Sequence, residues 1–279
     1  NSLLPILNVV FFFRKRFKGV KFILEIRDIW PLSIIELGNY SKKNILIRFL
    51  AWVEKVGYKN ADHIVSVLKD ADIHIKTIIK DIPFNYTWIS NGYKLNDQDY
   101  YQKLDDNKLK LIPEDKFIIG YAGSLGKANA MEYLIESINN YKQDNVVLCI
   151  LGIGDEIETL KLLASNNKNI IFLGEATKNQ VNSFLMKCDL LYLGVRDLKV
   201  YNFGISMNKT FDYMYAAKPI LLSVSTQNNV IELAECGKVI KPNDANLIIN
   251  AILSFKKMSL EERNLMGLKG KRYLTKHLT

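Results

Sequence analysis

Between Gly204 and Asp212, in the segment YNFGISMNKTFDYMYAAKP (201–219), the chain places a glycine turn, the Ser206 hydroxyl, the Lys209 ammonium and the Asp212 carboxylate. The apolar run CDLLYLGV (188–195) before it has the length and composition of a strand; Phe203, Gly204, Ile205 and Ser206 have turn chemistry, and helix formers follow. A helix that opens this way attracts phosphate through its free amides and positive dipole end. Gly204 lets the main chain approach without a Cβ, and Lys209 adds a full charge. Asp212, three residues after Lys209, shares its helix face and can accept from two ribose hydroxyls. The chemistry is that of a sugar-nucleotide site. The alternative is an amphipathic helix in which Phe211, Met214 and Tyr215 are core and Lys209 and Asp212 are solvated.

Two other segments put chemistry at strand ends. In AGSLGKAN (122–129) the amides of Ser124 and Leu125 can face a diphosphate while Gly123 and Gly126 keep the turn open, although a plain tight turn would read the same. EIRDIWP (25–31) gathers Glu25, Arg27, Asp28 and Trp30 before Pro31 breaks the run. There Asp28 could orient a bound hydroxyl, Arg27 could meet a diphosphate with its planar fork, and Trp30 could stack on a sugar ring. The competing reading is an Arg27–Asp28 ion pair with Trp30 in the core. LGIGDE (151–156) lacks the third glycine of a dinucleotide fingerprint and is weak as an NAD site.

The order YNFGIS, NK, FDYM, AAKP, together with GYAGSLGKANAMEYLIESI (120–138) and LEIRDIWPLSIIELG (24–38), resembles the retaining glycosyltransferases of the GT-B fold, family 4, especially the branch that builds bacterial O-antigen and capsule repeat units. The resemblance covers almost the whole chain. It implies an α/β protein of two Rossmann-like domains facing a cleft, with the first incomplete, and a donor diphosphate and sugar held by Gly123, Ser124, Leu125, Asn129, Gly204, Ile205, Ser206 and Lys209. Asp212 falls on the second of two family glutamates, while Gly204 stands where the first would be. Many relatives hold the diphosphate with an Arg and a Lys at the positions of Ser124 and Asn129, so Lys209 and the loop amides are the expected substitute. The resemblance further implies that Gly152 and Gly154 leave room for base or ribose, that Gly174 and Ala176 in LGEAT (173–177) lie on the loop that clamps uracil, and that Glu25, Arg27, Asp28 and Trp30 face the acceptor. Asp28 and Lys209 are then the catalytic candidates.

These motifs need a scaffold, and 279 residues suffice for two α/β domains. Alternating strand and helix patterns suggest the remaining part of an acceptor-side domain over 1–92, a linker over 93–115, a nucleotide-sugar domain over 116–258 and a C-terminal helix over 259–279. The opening NSLLPILNVVFFFRKRF reads as mid-domain helix, so roughly a hundred upstream residues are expected, and the end TKHLT looks cut inside a helical pattern. The net charge of +9 favours anionic partners. Arg14, Lys15, Arg16 and Lys18 after the apolar run Val9–Phe13 suit a negatively charged membrane interface, or a buried helix with a solvated basic end. No apolar run spans a bilayer, and dispersed basic residues without a recognition motif speak against nucleic acid. Cys149, Cys188 and Cys236 read as reduced core residues of a cytosolic protein. Asp70-Ala71-Asp72 and Asp97-Gln98-Asp99 mimic metal motifs but fall at a helix start and in the linker, so no metal and no cofactor is expected.

The expected activity is therefore transfer of an N-acetylhexosamine such as GalNAc, or of a deoxyhexosamine, from a UDP-sugar to an undecaprenyl-diphosphate-linked saccharide, in O-antigen or related polysaccharide synthesis at the inner face of the bacterial cytoplasmic membrane. A GT-B UDP-HexNAc epimerase and a non-catalytic nucleotide- or partner-binding protein are the alternatives. Neither hexose identity nor oligomeric state follows from the residues.

Overall fold

The computed structural model describes residues 15–94, 102–165, 167–226 and 229–279. Val9–Arg14 and the Asp97-Gln98-Asp99 motif lie outside the described residues. The chain divides into two units, residues 1–91 with 198–206, and 92–197 with 207–279.

In the first unit β1 (Ile23–Ile26) leads into α1 (Leu32–Gly38) and α2 (Ile45–Asn60), then β2 (His63–Ser66), α3 (Ala71–Ile79) and β3 (Tyr86–Trp88). The strands pair in parallel in the order β1-β2-β3, with Leu24 opposite Ile64 and Ile64 opposite Tyr86. Leu24 and Ile26 of β1 are buried while Ile23 and Glu25 are exposed, the alternation of a sheet with one covered face. α2 is capped by the Asn44 side chain, which accepts from the Leu46 amide. It buries Ile47, Leu50, Val53 and Tyr58, and also Glu54. Glu54 is tolerated there because Tyr58 donates to it at 3.0 Å and His74 Nε2 lies 2.7 Å from the same oxygen. Lys15 is bound within this unit, to Asp62 and to the Asn60 carbonyl, each at 2.9 Å.

In the second unit α4 (Asp106–Leu109) precedes β4 (Phe117–Ala122), α5 (Met131–Asn140), β5 (Val146–Leu151), α6 (Ile157–Ala164), β6 (Ile170–Gly174), α7 (Lys178–Leu185) and β7 (Leu190–Gly194). After the excursion through 198–206 come α8 (Asn208–Tyr215), β8 (Ile220–Ser223), α9 (Val230–Leu233), β9 (Gly237–Ile240), α10 (Ala245–Lys257) and α11 (Leu260–His277). The six strands form one parallel sheet in the order β6-β5-β4-β7-β8-β9. Every residue of β4, β5, β7 and β8 is buried, which is why these strands read as continuous apolar runs. The strand order reverses between β4 and β7, so the crevice beyond their carboxyl ends is the place where such sheets bind ligands. Cys149, Cys188 and Cys236 are free and buried, and burial pushes the Cys149 and Cys236 thiols up to about 12.

The excursion after β7 is apolar where it meets the first unit. Val200 is buried in that unit's core, with Leu198, Tyr201 and Phe203 packed against it. The Glu36 carboxylate accepts from the Val200 amide at 3.0 Å.

Candidate functional site

The loop after β4 and the start of α8 come together at one end of the second unit's sheet. Gly123 donates its amide to the Leu151 carbonyl and has φ +149, a region that favours glycine. A Cβ there would meet the Lys209 Cε at 3.0 Å and Nζ at 3.1 Å, so the missing side chain is the space through which Lys209 runs. The ammonium lies 2.6 Å from both the Tyr121 hydroxyl and Asn129 Oδ1, and 4.6 Å from the centre of the Tyr121 ring. Asn129 closes the arrangement by donating to the Ser124 carbonyl at 3.0 Å, and the Tyr121 hydroxyl donates to that carbonyl at 2.6 Å. Among the ion pairs of the described residues, Lys209 has none. Burial without a counter-charge lowers its pKa from 10.5 to about 8.

Some donor-side expectations change in detail. The Leu125 amide is not free for a phosphate: it donates to the Ile153 carbonyl at 2.9 Å, and its side chain is fully buried. Among the described residues, the Ser124 and Gly126 amides donate to no protein acceptor. The space that Gly152 and Gly154 leave by lacking a Cβ is taken by protein backbone. A Cβ on Gly152 would lie 1.9 Å from the Gly123 carbonyl oxygen, and one on Gly154 2.3 Å from the Leu125 carbonyl oxygen. The glycine turn after β5 is thus spent on packing against the loop after β4. Gly174 has φ +74 with open space beside it, accepts from the Gly152 amide at 2.7 Å, and is followed by the half-buried Ala176.

The opening motif is divided between the units. Gly204, Ile205 and Ser206 belong to the first, Lys209 and Asp212 to the second. Gly204 has φ +108, and a Cβ would meet the Lys69 amide nitrogen at 2.9 Å, so its close approach is to protein backbone. Its own amide donates to the Tyr201 carbonyl, and the Ser206 hydroxyl accepts from Asn91 at 2.9 Å. On α8 both readings of the segment hold in part: Phe211 and Met214 are core, whereas Lys209 and Asp212 are half-buried rather than solvated. Asp212 is raised by burial, against the opposing influence of Lys178 and the Tyr93 hydroxyl. No ion pair joins it to Lys209 among the described residues.

Three residues of this site escaped the sequence reading. Tyr121 holds Lys209, and Tyr213, fully buried, accepts from the Ala122 amide at 2.7 Å and donates to the Ala122 carbonyl at 3.2 Å, fixing the end of β4 to α8. Arg196, just past β7, donates Nε to the Lys127 carbonyl at 2.6 Å, pairs with Glu132 at 2.6 Å and donates its amide to the Ala128 carbonyl. It ties the Lys127–Asn129 turn to the other side of the strand-order reversal. The only sequence signal was a basic residue directly after an apolar strand.

In the first unit the cluster Glu25–Trp30 is assembled differently from the ion-pair alternative. Arg27 approaches Glu25, Nε to Oε1 3.9 Å, and donates to Asn91 at 3.4 Å; it makes no pair with Asp28. The Asp28 carboxylate accepts from the Ile29 amide at 2.9 Å, from Trp30 Nε1 at 3.1 Å and from the Ser33 hydroxyl. Trp30 is half-buried and Ile29 is the core residue. Asp70 gives α3 no side-chain cap, and Asp72 pairs with Lys76 at 2.6 Å. Among the described residues no three His, Cys, Asp or Glu side chains are grouped to hold a metal ion, and no helix is long and apolar enough to cross a membrane.

Comparison with known proteins identifies a family and a fold. The Pseudomonas aeruginosa protein described as probable glycosyltransferase WbjE is 23% identical over 233 residues, 81% of this chain and 57% of WbjE. The chain thus spans little more than half the length of that relative. The fold matches Anabaena HepE, solved in complex with UDP, with a TM-score of 0.72 at 13% identity over 98% of this chain and 72% of HepE. It also matches WaaG, a glycosyltransferase involved in lipopolysaccharide biosynthesis, with a TM-score of 0.68 at 14% identity over 91% of this chain and 70% of WaaG. These likenesses identify the fold as GT-B, with two Rossmann-like domains. The profile of the family "Glycosyl transferases group 1" matches residues 102–273, a span that includes Lys209, and the chain belongs to that family.

Proposed function

We propose that the protein is a retaining glycosyltransferase that takes a UDP-linked N-acetylhexosamine or deoxyhexosamine as donor, without a metal ion, and a polyprenyl-diphosphate-linked saccharide as acceptor in polysaccharide assembly. The observation that carries the donor half is the Lys209 ammonium. It is held beside the Gly123–Asn129 loop by Tyr121 and Asn129 and lacks an anionic partner among the described residues. A diphosphate would supply that partner, with the Ser124 and Gly126 amides as further donors. HepE's complex with UDP and the description of WaaG support nucleotide choice and pathway class.

In this reading the bond from the anomeric carbon to the β-phosphate oxygen breaks while the acceptor hydroxyl attacks the same face. The acceptor proton passes to the departing phosphate. Charge grows on that phosphate, and Lys209 and the loop amides stabilise it more in the transition state than in the ground state. Asp28, whose carboxylate is fixed by three donors, is available to accept from an acceptor hydroxyl and orient it. Asp212 and the loop of Gly174 and Ala176 are assigned to ribose and base.

The test is calorimetry with UDP, GDP and TDP, with Mg²⁺ and with a chelator, followed by transfer to lipid-linked saccharide. Selective binding of UDP that survives chelation, and a fall in turnover by about two orders of magnitude in Lys209→Ala, are expected. No nucleotide binding, or an unchanged rate in Lys209→Ala, would refute the assignment.

A further inference from the structure

α2 has an outer face that is apolar where a surface helix would normally be polar. Ile45 is 85% exposed, Leu46 59%, Phe49 44% and Trp52 52%. Ile45, Phe49 and Trp52 recur at the spacing of one helix stripe, and the Phe49 and Trp52 rings lie 6.0 Å apart. Arg48, Lys55 and Lys59 are exposed along the flank of that stripe, and Lys42 and Lys43 are exposed just before the helix. None of these five cations forms an ion pair among the described residues. The one acidic residue of the helix, Glu54, points the opposite way and is buried against His74 and Tyr58. The outer face is therefore aromatic and aliphatic with a uniformly basic border, and no acidic side chain of the helix neutralises it.

We infer that this face of α2 docks on an anionic lipid bilayer. An aqueous protein partner would need an apolar patch ringed by carboxylates. A bilayer with anionic headgroups supplies both features at once, with acyl chains for Ile45, Phe49 and Trp52 and phosphates for the long basic side chains that reach back to the interface. Trp52 is a residue type that anchors at headgroup depth, with its N–H in the polar layer and its ring in the apolar one. The contact differs from the Arg14–Lys18 cluster read from the sequence, in which Lys15 is already bound to Asp62 and the Asn60 carbonyl. α2 follows closely on the Glu25–Trp30 cluster within the same unit. A lipid-linked acceptor would lie in such a surface, so the lipid face rests on the transfer reading above in that respect. It is tested without nucleotide, which keeps a failed vesicle assay distinct from a failed transfer assay.

The experiment is co-sedimentation of the full chain with vesicles of phosphatidylglycerol in phosphatidylcholine, and of phosphatidylcholine alone, at low and high salt. Binding only to the anionic vesicles, weakened by salt, is expected. Each basic residue at such a surface contributes about fivefold in partitioning, so Arg48→Ala with Lys55→Ala and Lys59→Ala should lower it on the order of 100-fold. Vesicle binding should shift wild-type tryptophan emission to the blue, and Ile45→Ser with Phe49→Ser, which keep Trp52 as the reporter, should abolish that shift. All five side chains are exposed, so unfolding temperatures should stay at the wild-type value. Three results would overturn the inference: no binding of the wild type to anionic vesicles, equal binding by the triple variant, or a concentration-dependent dimer that Ile45→Ser with Phe49→Ser dissolves, which would make a second copy the occupant.

Discussion

Raising the pH from about 7 to about 9 should weaken UDP binding roughly tenfold, and the cause is one side chain. Burial lowers the Lys209 pKa from 10.5 to about 8 in the ligand-free protein. At pH 7 about nine-tenths of the side chain is then protonated, and at pH 9 about one-tenth. A diphosphate beside Nζ favours the charged form and raises the pKa again, so binding draws in a proton wherever the free protein has lost it. If the bound form keeps the ammonium, apparent affinity falls in proportion to the protonated fraction of the free form, which gives the tenfold figure. The sign is that of a depressed lysine: the fold favours neutral Lys209, so its contribution to stability increases as pH rises from about 8 toward 10.5. Ligand affinity runs in the opposite direction. The assay is calorimetry at several pH values in buffers of different ionisation enthalpy. At pH 8 about half a proton should be taken up per UDP bound. Lys209→Met should bind more weakly, with no pH dependence over this range. Equal affinity at pH 7 and 9 with no proton uptake would show that the ammonium does not meet the diphosphate.

Gly152→Ala should destabilise the protein by more than about 3 kcal/mol, because its Cβ would lie 1.9 Å from the Gly123 carbonyl oxygen, whereas Gly174→Ala, in open space at φ +74, should cost about 1 kcal/mol; urea unfolding separates them. Asn129→Ala removes an acceptor of Lys209 and a donor to the Ser124 carbonyl, and should weaken UDP binding about tenfold with little change in unfolding midpoint. Glu54→Ala leaves the buried His74 and Tyr58 without their shared partner and should cost about 2–4 kcal/mol in urea unfolding, without altering UDP affinity.

The second unit's sheet was legible because its strands are buried on both faces and so are apolar without interruption. Phe117–Ala122, Val146–Leu151 and Ile220–Ser223 are such runs. The strands of the first unit, Ile23–Ile26 and Tyr86–Trp88 among them, are half exposed and give a weaker pattern at their ends. Lys209 was identifiable as a cation at the start of a helix. The resemblance put Asn129 in the same site, but that Asn129 and Tyr121 hold the Lys209 ammonium was not legible, because both are distant from it in sequence.

Local chemistry along the chain thus determined the elements, the glycine turns and a lysine at a helix start, since period, turn propensity and charge are properties of neighbouring residues. Tertiary structure alone decided how those parts are used. It assigned Gly204–Ser206 to the first unit because Val200 and its apolar neighbours bury there. It spent Gly152 and Gly154 on the backbone of Gly123 and Leu125, because two loops packed at that distance leave no room for a Cβ. It also buried Lys209 without a counter-charge, and only burial, which no sequence spacing encodes, lowers the proton affinity of that lysine.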